Sequence, residues 1–201
     1  MIPLLSVLLA YLLGAIPFGY LLVRWKSGDD IRASGSGNTG ATNVLRTTGV
    51  VIGIATLLLD IGKGYVAVWF ADRASSGNAF WMSLAALAVM AGHAYPIFLG
   101  FKGGKAVASF IGAFLRLVPF ATIAMLVVFL VVVAKTRYIS LGSIIGAATF
   151  PSAVWLIFQP PLAIELASLA AAIFIIYRHR SNIQRLRQGR ERLLSFGARR
   201  S

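Results

Sequence analysis

The chain has 201 residues, of which 58% are hydrophobic and 12% are charged, a charged fraction about half that of soluble proteins, so its composition excludes an ordinary soluble domain. The formal net charge is +13, but the basic residues lie between apolar segments and at the C-terminus, which argues against a nucleic-acid-binding protein and for a membrane protein. The absence of cysteine excludes disulfides, thiolate catalysis and cysteine-bound metals.

The apolar segments predict membrane-spanning helices at about 2–23, 48–71, 79–100, 105–118, 119–134, 139–158 and 161–177. The first segment has no basic residues before it and is too long for a cleaved signal peptide, so we interpret it as a span. Pro119 separates the fourth and fifth segments, which could form two short spans or one kinked span.

The distribution of basic residues decides between these two possibilities. With seven spans, the basic loops 24–47, 101–105 and 135–138 share one side of the membrane with the arginine-rich tail, 178–201, and the positive-inside rule places that side in the cytoplasm. Merging the fourth and fifth segments would move the third loop and the tail outside. The sequence therefore predicts a single-domain, all-α bundle of seven transmembrane helices with its N-terminus outside and its C-terminus cytoplasmic. We expect the tail to lie at anionic lipid.

The first basic loop carries Gly-Ser-Gly-Asn-Thr-Gly-Ala-Thr-Asn at 35–43 and is followed by Arg46, which we expect at the start of the second helix. Glycines let backbone N–H groups face an anion, and short polar side chains add directional hydrogen bonds. A flexible polar turn is the alternative interpretation. The candidate phosphate-binding residues here are Gly35, Ser36, Gly37, Asn38, Gly40, Thr42, Asn43 and Arg46.

The second loop, 101–106, places Gly103, Gly104 and Lys105 just before a predicted helix, an arrangement typical of anion binding. It is not a nucleotide-hydrolysing P-loop, because Leu99 and Ala106 stand where that motif needs glycine and Ser/Thr. The alternative is that its lysines only orient the chain in the membrane.

Asp60, Lys63 and His93 are ionisable residues within predicted spans, where such residues are usually functional. His93 either hydrogen-bonds a substrate or has a structural role, and Phe98 excludes a His-x4-Asp acyltransferase motif. Asp60 and Lys63 are three residues apart on one helix face, so we expect them to form an ion pair.

The third loop and the chain beyond the last span complete the set of candidates. Arg137 would add a positive charge, and Ser140 and Ser143 either cap the sixth helix or face the bundle. Asn182 lies among basic residues at the cytoplasmic surface, where its amide could complete the site.

The three loops, together with Ser-Leu-Gly-Ser at 140–143 and His-Arg-x-Asn-Ile at 179–183, resemble the motifs of the bacterial acyl-phosphate:glycerol-3-phosphate acyltransferases. The resemblance covers essentially the whole chain. It implies a multi-pass enzyme of the bacterial inner membrane, with its active site facing the cytoplasm, that acts among membrane lipids. The implied reaction transfers an acyl group from acyl phosphate to the 1-position of glycerol 3-phosphate, giving lysophosphatidate and phosphate, without metal or other cofactor and without acyl-CoA as donor.

This chemistry agrees with the residues. Both substrates carry phosphate, and no Ser-His-Asp set is evident, so we expect direct attack by the glycerol hydroxyl, with His93 or a substrate phosphate oxygen as base. We assign Ser36, His93, Lys105 and Ser143 to catalysis. The residues assigned to phosphate binding are Gly35, Gly37, Asn38, Gly40, Thr42, Asn43, Arg46, Gly103, Gly104, Arg137 and Asn182. A monomer is compatible with this arrangement.

A transporter of organic phosphates is the main alternative. It would need polar groups distributed across the membrane, whereas here the polar groups cluster on one side, with Asp60, Lys63 and Glu165 as the few exceptions. A lipid-binding scaffold would leave the glycine-rich loops unexplained. A CDP-alcohol phosphatidyltransferase would need several aspartates for metal, and only Asp29 and Asp30 are adjacent.

Overall fold

The computed structural model describes residues 1–194, which contain ten α-helices and no strand. The helices are α1 (Ile2–Ala15), α2 (Phe18–Ser27), α3 (Ala41–Thr47), α4 (Val50–Ser75), α5 (Ala79–Ala94), α6 (Val107–Leu117), α7 (Pro119–Thr136), α8 (Ile139–Phe158), α9 (Leu162–Arg178) and α10 (Arg180–Arg187). Single 3-10 turns lie at Ile31–Ala33 and Ile97–Leu99.

Five helical segments are long and apolar enough to cross a membrane, with mean hydropathies of 1.6 to 2.2: Ile2–Ser27, Val50–Ser75, Ala79–Leu99, Pro119–Thr136 and Ile139–Phe158. Helix α9 together with α10, bent by 56°, makes a sixth candidate. Each predicted apolar segment coincides with a helix or a pair of helices to within four residues. The all-helical membrane fold is therefore confirmed, whereas the count of seven spans and the orientation of the termini stay predictions.

The fourth and fifth apolar segments form separate helices. Helix α6 ends at Leu117, Val118 leaves the helical conformation with φ −143° and ψ 70°, and Pro119 begins α7. At about 1.5 Å per residue, the 11 residues of α6 cover about half of the roughly 30 Å hydrocarbon layer.

Glycines allow α6 to pack directly on α4. A Cβ added to Gly64 would lie 2.1 Å from the carbonyl oxygen of Ser109, and one added to Gly112 would lie 1.8 Å from that of Ile61. Small residues are what membrane helices use where their backbones touch. The short helix is thus held by the close fit of its backbone against α4.

An aromatic cluster joins α6 to α8 inside the bundle. Phe110, Phe114 and Phe150 are fully buried, with ring centroids 4.8 to 5.0 Å apart. Large apolar side chains of α1, α4, α7 and α9 are exposed on the outside, as a lipid-facing surface requires.

Candidate anion-binding site

The first loop is held in shape by the side chain of Asn43, which is buried. Its Oδ1 accepts a hydrogen bond from the Ser36 N–H at 2.9 Å, and its Nδ2 donates to the carbonyls of Ser34 at 3.0 Å and Asn38 at 2.9 Å. Gly35 and Gly37 adopt φ of +62° and +69°, the left-handed region that glycine tolerates best. The amide of Asn43, a predicted phosphate ligand, is therefore used within the loop.

The other predicted residues of this loop lie around that scaffold. Ser36 is exposed, and its hydroxyl forms no hydrogen bond within the described part of the chain. Asn38 accepts from the Gly40 N–H at 2.8 Å, Gly40 precedes α3, and Thr42 is partly exposed on the first turn of that helix. Ser36 is thus the loop side chain most available to a ligand.

Arg46 lies in the last turn of α3 and not, as predicted, at the start of the second transmembrane helix. The sequence did not reveal this short helix, which ends before α4 begins at Val50. The guanidinium of Arg46 donates to the carbonyls of Arg192 at 3.2 Å and Leu193 at 3.4 Å. Arg46 therefore faces the chain end, and its position gains nothing from a helix N-terminus.

The glycine loop is bound to the end of α5. The N–H of Gly103 donates to the Ala94 carbonyl at 3.2 Å, and the N–H of Gly104 donates to the His93 carbonyl at 3.0 Å. Contrary to the prediction, these two N–H groups do not face an anion. Arg178 donates to the Gly104 carbonyl at 2.8 Å, so the loop is fixed from both sides.

Lys105 emerges from this loop into a network of polar side chains. Its Nζ donates to Oδ1 of Asn182, whose Nδ2 donates to Oε1 of Glu191 at 2.8 Å. Ser140 donates to the same Glu191 oxygen at 3.1 Å, and Arg185 donates to Oε2 at 2.8 Å. The structure thus brings two predicted residues, Lys105 and Asn182, into direct contact. Glu191, which the sequence reasoning did not select, links Asn182 to Ser140 and Arg185.

The network tunes the charges of its members. Burial lowers the pKa of the Lys105 ammonium to about 8, an effect that Glu191 opposes and the nearby Arg185 and Arg46 increase. Burial acts to raise the pKa of Glu191, but the hydrogen bonds from Asn182, Arg185 and Ser140 and the charge of Arg185 together outweigh it, so that pKa is lowered. At neutral pH the site therefore holds one carboxylate among an ammonium and several guanidiniums.

His179 is a further buried group that the site analysis of the sequence omitted. Its Nδ1 lies 2.8 Å from the Ile175 carbonyl, and burial, together with the charge of Lys105, lowers its pKa to about 4. The ring is therefore neutral at pH 7. The sequence signal was present in His-Arg-x-Asn-Ile, where we considered only the asparagine.

The serines of α8 do not cap that helix. Tyr138 precedes it, and Ser140 instead reaches Glu191. Ser143 is buried one turn inside α8 and donates to the Ile139 carbonyl at 3.0 Å, so its hydroxyl is bonded within the helix and not to the Lys105 network.

Residues 191–194 form a strap across this end of the bundle. Besides the contacts of Glu191 and Arg46, Arg137 donates to the Leu194 carbonyl at 3.3 Å, and the Leu194 N–H donates to the Arg137 carbonyl at 2.7 Å. The predicted lipid anchor thus includes a segment that packs on the site, while residues 195–201 lie outside the described part of the chain.

His93 lies beneath the glycine loop rather than beside Lys105. It is buried, and a Cβ on Gly104 would stand 2.0 Å from its Nε2, so only glycine fits over the ring. The predicted ion pair between Asp60 and Lys63 is present behind it, at 2.7 Å. Within residues 1–194, no group of three or more His, Asp or Glu side chains is arranged to hold a metal ion.

A bundle of membrane-length helices thus carries, at one end, a loop of small residues on which Ser36 is exposed. The same end holds Arg46, Lys105 and Arg137, which donate to carbonyl or amide oxygens that a phosphate could replace. This arrangement is that of an integral membrane protein with a candidate site for an anionic ligand.

The sequence profile of the family described as glycerol-3-phosphate acyltransferase matches residues 4–189. The chain belongs to this family. It is 50% identical over 182 residues to the glycerol-3-phosphate acyltransferase of Geobacter sulfurreducens, an alignment that covers 90% of this chain and 92% of the relative. It is 45% identical over 191 residues to that of Synechococcus elongatus, covering 92% and 90%.

Solved structures agree with the sequence relatives. The glycerol 3-phosphate form of PlsY, an integral membrane glycerol 3-phosphate acyltransferase, superposes with a TM-score of 0.91, 36% identity and coverage of 96% of each chain. The lysophosphatidic acid form gives a TM-score of 0.89 and 35% identity, again covering 96% of each chain.

Proposed function

We propose that this protein transfers a fatty acyl group from acyl phosphate to the 1-hydroxyl of glycerol 3-phosphate, giving lysophosphatidate and inorganic phosphate. The hydroxyl oxygen attacks the acyl carbonyl carbon, the new ester bond forms, and the anhydride bond to phosphate breaks. The hydroxyl proton leaves with the released phosphate, so the reaction balances without a cofactor.

The observation that carries this proposal is the buried Lys105 within the cationic network at one end of the helices. Both substrates of the proposed reaction are phosphate monoesters or anhydrides, and a cluster of ammonium and guanidinium donors suits two such anions. The solved relatives support the choice of ligands, because PlsY has been crystallised in glycerol 3-phosphate and lysophosphatidic acid forms.

We assign phosphate binding chiefly to Lys105 and Arg46. Their donors are directed to the Asn182 side-chain oxygen and to the carbonyls of Arg192 and Leu193, the kind of oxygen acceptors that phosphate would replace. Arg137, bonded to Leu194, is placed to act in the same way. Binding would therefore loosen the strap as it satisfies the arginines.

Ser36 is assigned to hydrogen bonding at the reacting groups, because its hydroxyl is exposed on a rigidly held loop. Its N–H is taken by Asn43, so the side chain is the part available. Gly35 and Gly37, on either side of Ser36, have no side chains that would obstruct a ligand. Ser143 is retained as a supporting residue of α8.

A substrate phosphate oxygen is the base in this proposal, rather than His93. The imidazole of His93 is covered by Gly104 and faces Asp60 on its other edge, which keeps it from the reacting hydroxyl. Acyl phosphate already has a good leaving group, so catalysis needs mainly orientation and charge stabilisation.

The orientation of the site follows from charge. The loops that carry Arg46, Lys105 and Arg137 are the basic ones, so we propose that they face the cytoplasm of a bacterial cell and that the acyl chain lies among the lipid-facing helices. Seven spans and a monomer are parts of the same proposal.

The decisive experiment measures phosphate release and lysophosphatidate formation by purified protein given palmitoyl phosphate, with and without glycerol 3-phosphate. We expect both products only when both substrates are present, and none when palmitoyl-CoA replaces palmitoyl phosphate. Comparable turnover with palmitoyl-CoA would overturn the donor assignment. Uptake of glycerol 3-phosphate into protein-containing vesicles without acyl transfer would instead favour a transporter.

A further inference from the structure

An ion pair is buried inside the bundle, away from the site described above. Asp60 and Lys63 lie one turn apart on α4, with Nζ and Oδ1 separated by 2.7 Å and each side chain 2% exposed. Burying two charges is costly, and a pair of apolar residues would fill the same space without that cost. The position of the pair therefore calls for an explanation beyond stability.

Lys63 contacts the break in the first transmembrane segment. Its Nζ donates to the carbonyl of Ile16 at 2.8 Å, where α1 ends and Pro17 precedes α2. The ammonium also lies 5.6 Å from the centre of the Phe18 ring. Lys63 thus ties α4 to the point at which the chain turns toward the first loop.

Asp60 contacts the histidine that supports the glycine loop. Its Oδ1 lies 3.5 Å from Nδ1 of His93, and the other edge of that ring is covered by Gly104. The backbone of His93 also accepts the Gly104 N–H at 3.0 Å. A continuous path of contacts therefore runs from Lys63 through Asp60 and His93 to the residue that precedes Lys105.

The pair itself has no room for a substrate. The cavity that Asp60, Lys63 and His93 line has a volume of about 10 Å³, which is the space of roughly one water molecule. Glycerol 3-phosphate cannot enter it. Any effect of the pair on the reaction must therefore pass through the groups that it holds.

We propose that Asp60 and Lys63 are positioning residues that fix the imidazole of His93 beneath Gly104 and so hold Lys105 where it binds the phosphate of glycerol 3-phosphate. This proposal rests on the assignment of Lys105 to phosphate binding made above. The ion pair is the rigid support, His93 transmits its position, and the glycine loop is the part that moves if the support is lost.

The test is the double variant Asp60→Asn/Lys63→Met, which removes both charges together and leaves no unpaired charge in the membrane. Its matched control is Asp72→Asn/Arg116→Met, which removes the ion pair that joins α4 to α6 without touching the glycine loop. For each folded protein, the equilibrium Kd for glycerol 3-phosphate, the KM for each substrate and kcat are measured.

We expect the double variant to raise the Kd and KM for glycerol 3-phosphate at least about tenfold while the KM for palmitoyl phosphate changes by less than about twofold. The control should keep the wild-type Kd and the wild-type KM for each substrate. A folded double variant with wild-type affinity for glycerol 3-phosphate would overturn the proposal, as would an equal loss for both substrates.

Two further arms keep the test informative. If the double variant does not fold, His93→Asn, which leaves the ion pair intact, should show the same selective rise, and unchanged affinity in that variant would overturn the proposal. If wild-type protein binds glycerol 3-phosphate but releases no phosphate from palmitoyl phosphate, the donor assignment fails. The binding comparison then still decides the role of the pair.

Discussion

Asn182 donates its side-chain amide to Oε1 of Glu191 at 2.8 Å, while its own Oδ1 accepts a hydrogen bond from Lys105. The asparagine thus stands between a carboxylate and an ammonium and keeps both oriented. Since Glu191 begins the strap, this single link couples the position of Lys105 to the chain end that covers Arg46.

Replacing Glu191 by glutamine tests this coupling. The carboxylate accepts from Ser140, Asn182 and Arg185, and hydrogen bonds to a charged group contribute about 1.5–3 kcal/mol each. We expect Glu191→Gln to lower the free energy of unfolding by about 2 kcal/mol, because the amide cannot accept at both ends. Thermal unfolding in detergent measures this, with Asp29→Asn, exposed and outside the network, as a control of unchanged stability.

Removing the ammonium of Lys105 should weaken catalysis directly. A charge-assisted contact to phosphate contributes about 1.5–3 kcal/mol, and 1.4 kcal/mol is a factor of ten, so Lys105→Ala should lower kcat/KM at least about tenfold. Lys26→Ala, equally basic but exposed at the end of α2, should change it little. If neither variant changes kcat/KM, the loop lysines serve only to orient the chain.

The pKa of Lys105, about 8 instead of 10.5, predicts a pH dependence of substrate binding. As pH rises through 8 the ammonium loses its proton while the arginines keep theirs, so the affinity for glycerol 3-phosphate should fall toward a tenfold loss per pH unit. Lys105→Arg, which stays charged, should remove that decline. Binding titrations between pH 7 and 9.5 measure it.

The lowered pKa of Lys105 also affects folding stability. As pH rises, this contribution to stability increases, whereas the affinity for glycerol 3-phosphate falls. Between about pH 8 and 10.5 the unfolded chain holds a proton on Lys105 that the folded protein has lost, so this group makes stability rise with pH in that window. Below about pH 8 its destabilising contribution is constant.

The scaffold role of Asn43 makes a separate prediction. Asn43→Ala would leave the Ser36 N–H and the carbonyls of Ser34 and Asn38 without their partner, and each such loss costs about 1–3 kcal/mol when buried. We expect kcat/KM to fall at least about tenfold, because Ser36 loses its position. Asn78→Ala, which removes the N-cap of α5, should cost about 1 kcal/mol of stability and leave kcat/KM unchanged.

Orientation in the membrane is tested by single cysteines in this cysteine-free chain. Exposed positions are accessible to a thiol reagent, so Asp29→Cys, Lys102→Cys and Lys135→Cys report on the three basic loops, and Ser76→Cys reports on the α4–α5 turn. An impermeant thiol reagent should label only the last in intact cells. Labelling of Lys135→Cys from outside would refute seven spans.

The helices were predictable because the bilayer imposes length and apolarity, and hydropathy reports both. The break at Pro17 was missed, although a proline is a local signal for it. The separate helix α3 was not predictable, because it depends on how the first loop folds back onto α4. The ion pair of Asp60 and Lys63 followed from helical spacing alone. The sequence was therefore sufficient to predict those features that depend on contacts between residues close together in the chain.

The candidate site was predictable as a set of loops but not as a network. Nothing in the sequence places Glu191 against Ser140, since 51 residues separate them, and a lone glutamate among arginines was interpreted as part of a tail. Spacing likewise cannot tell that the amide of Asn43 turns inward. Which side chains face a ligand is decided by contacts between distant parts of the chain.

The shortness of α6 bears on how the protein reaches the membrane during synthesis. A helix of eleven residues is too short to be retained in the bilayer by hydropathy alone, so α6 would have to enter together with α7 as a hairpin turning at Val118. Its final placement then awaits α4, already inserted, whose Gly64 receives it. Gly64→Leu would block that docking, because a Cβ at this position would lie 2.1 Å from the carbonyl oxygen of Ser109.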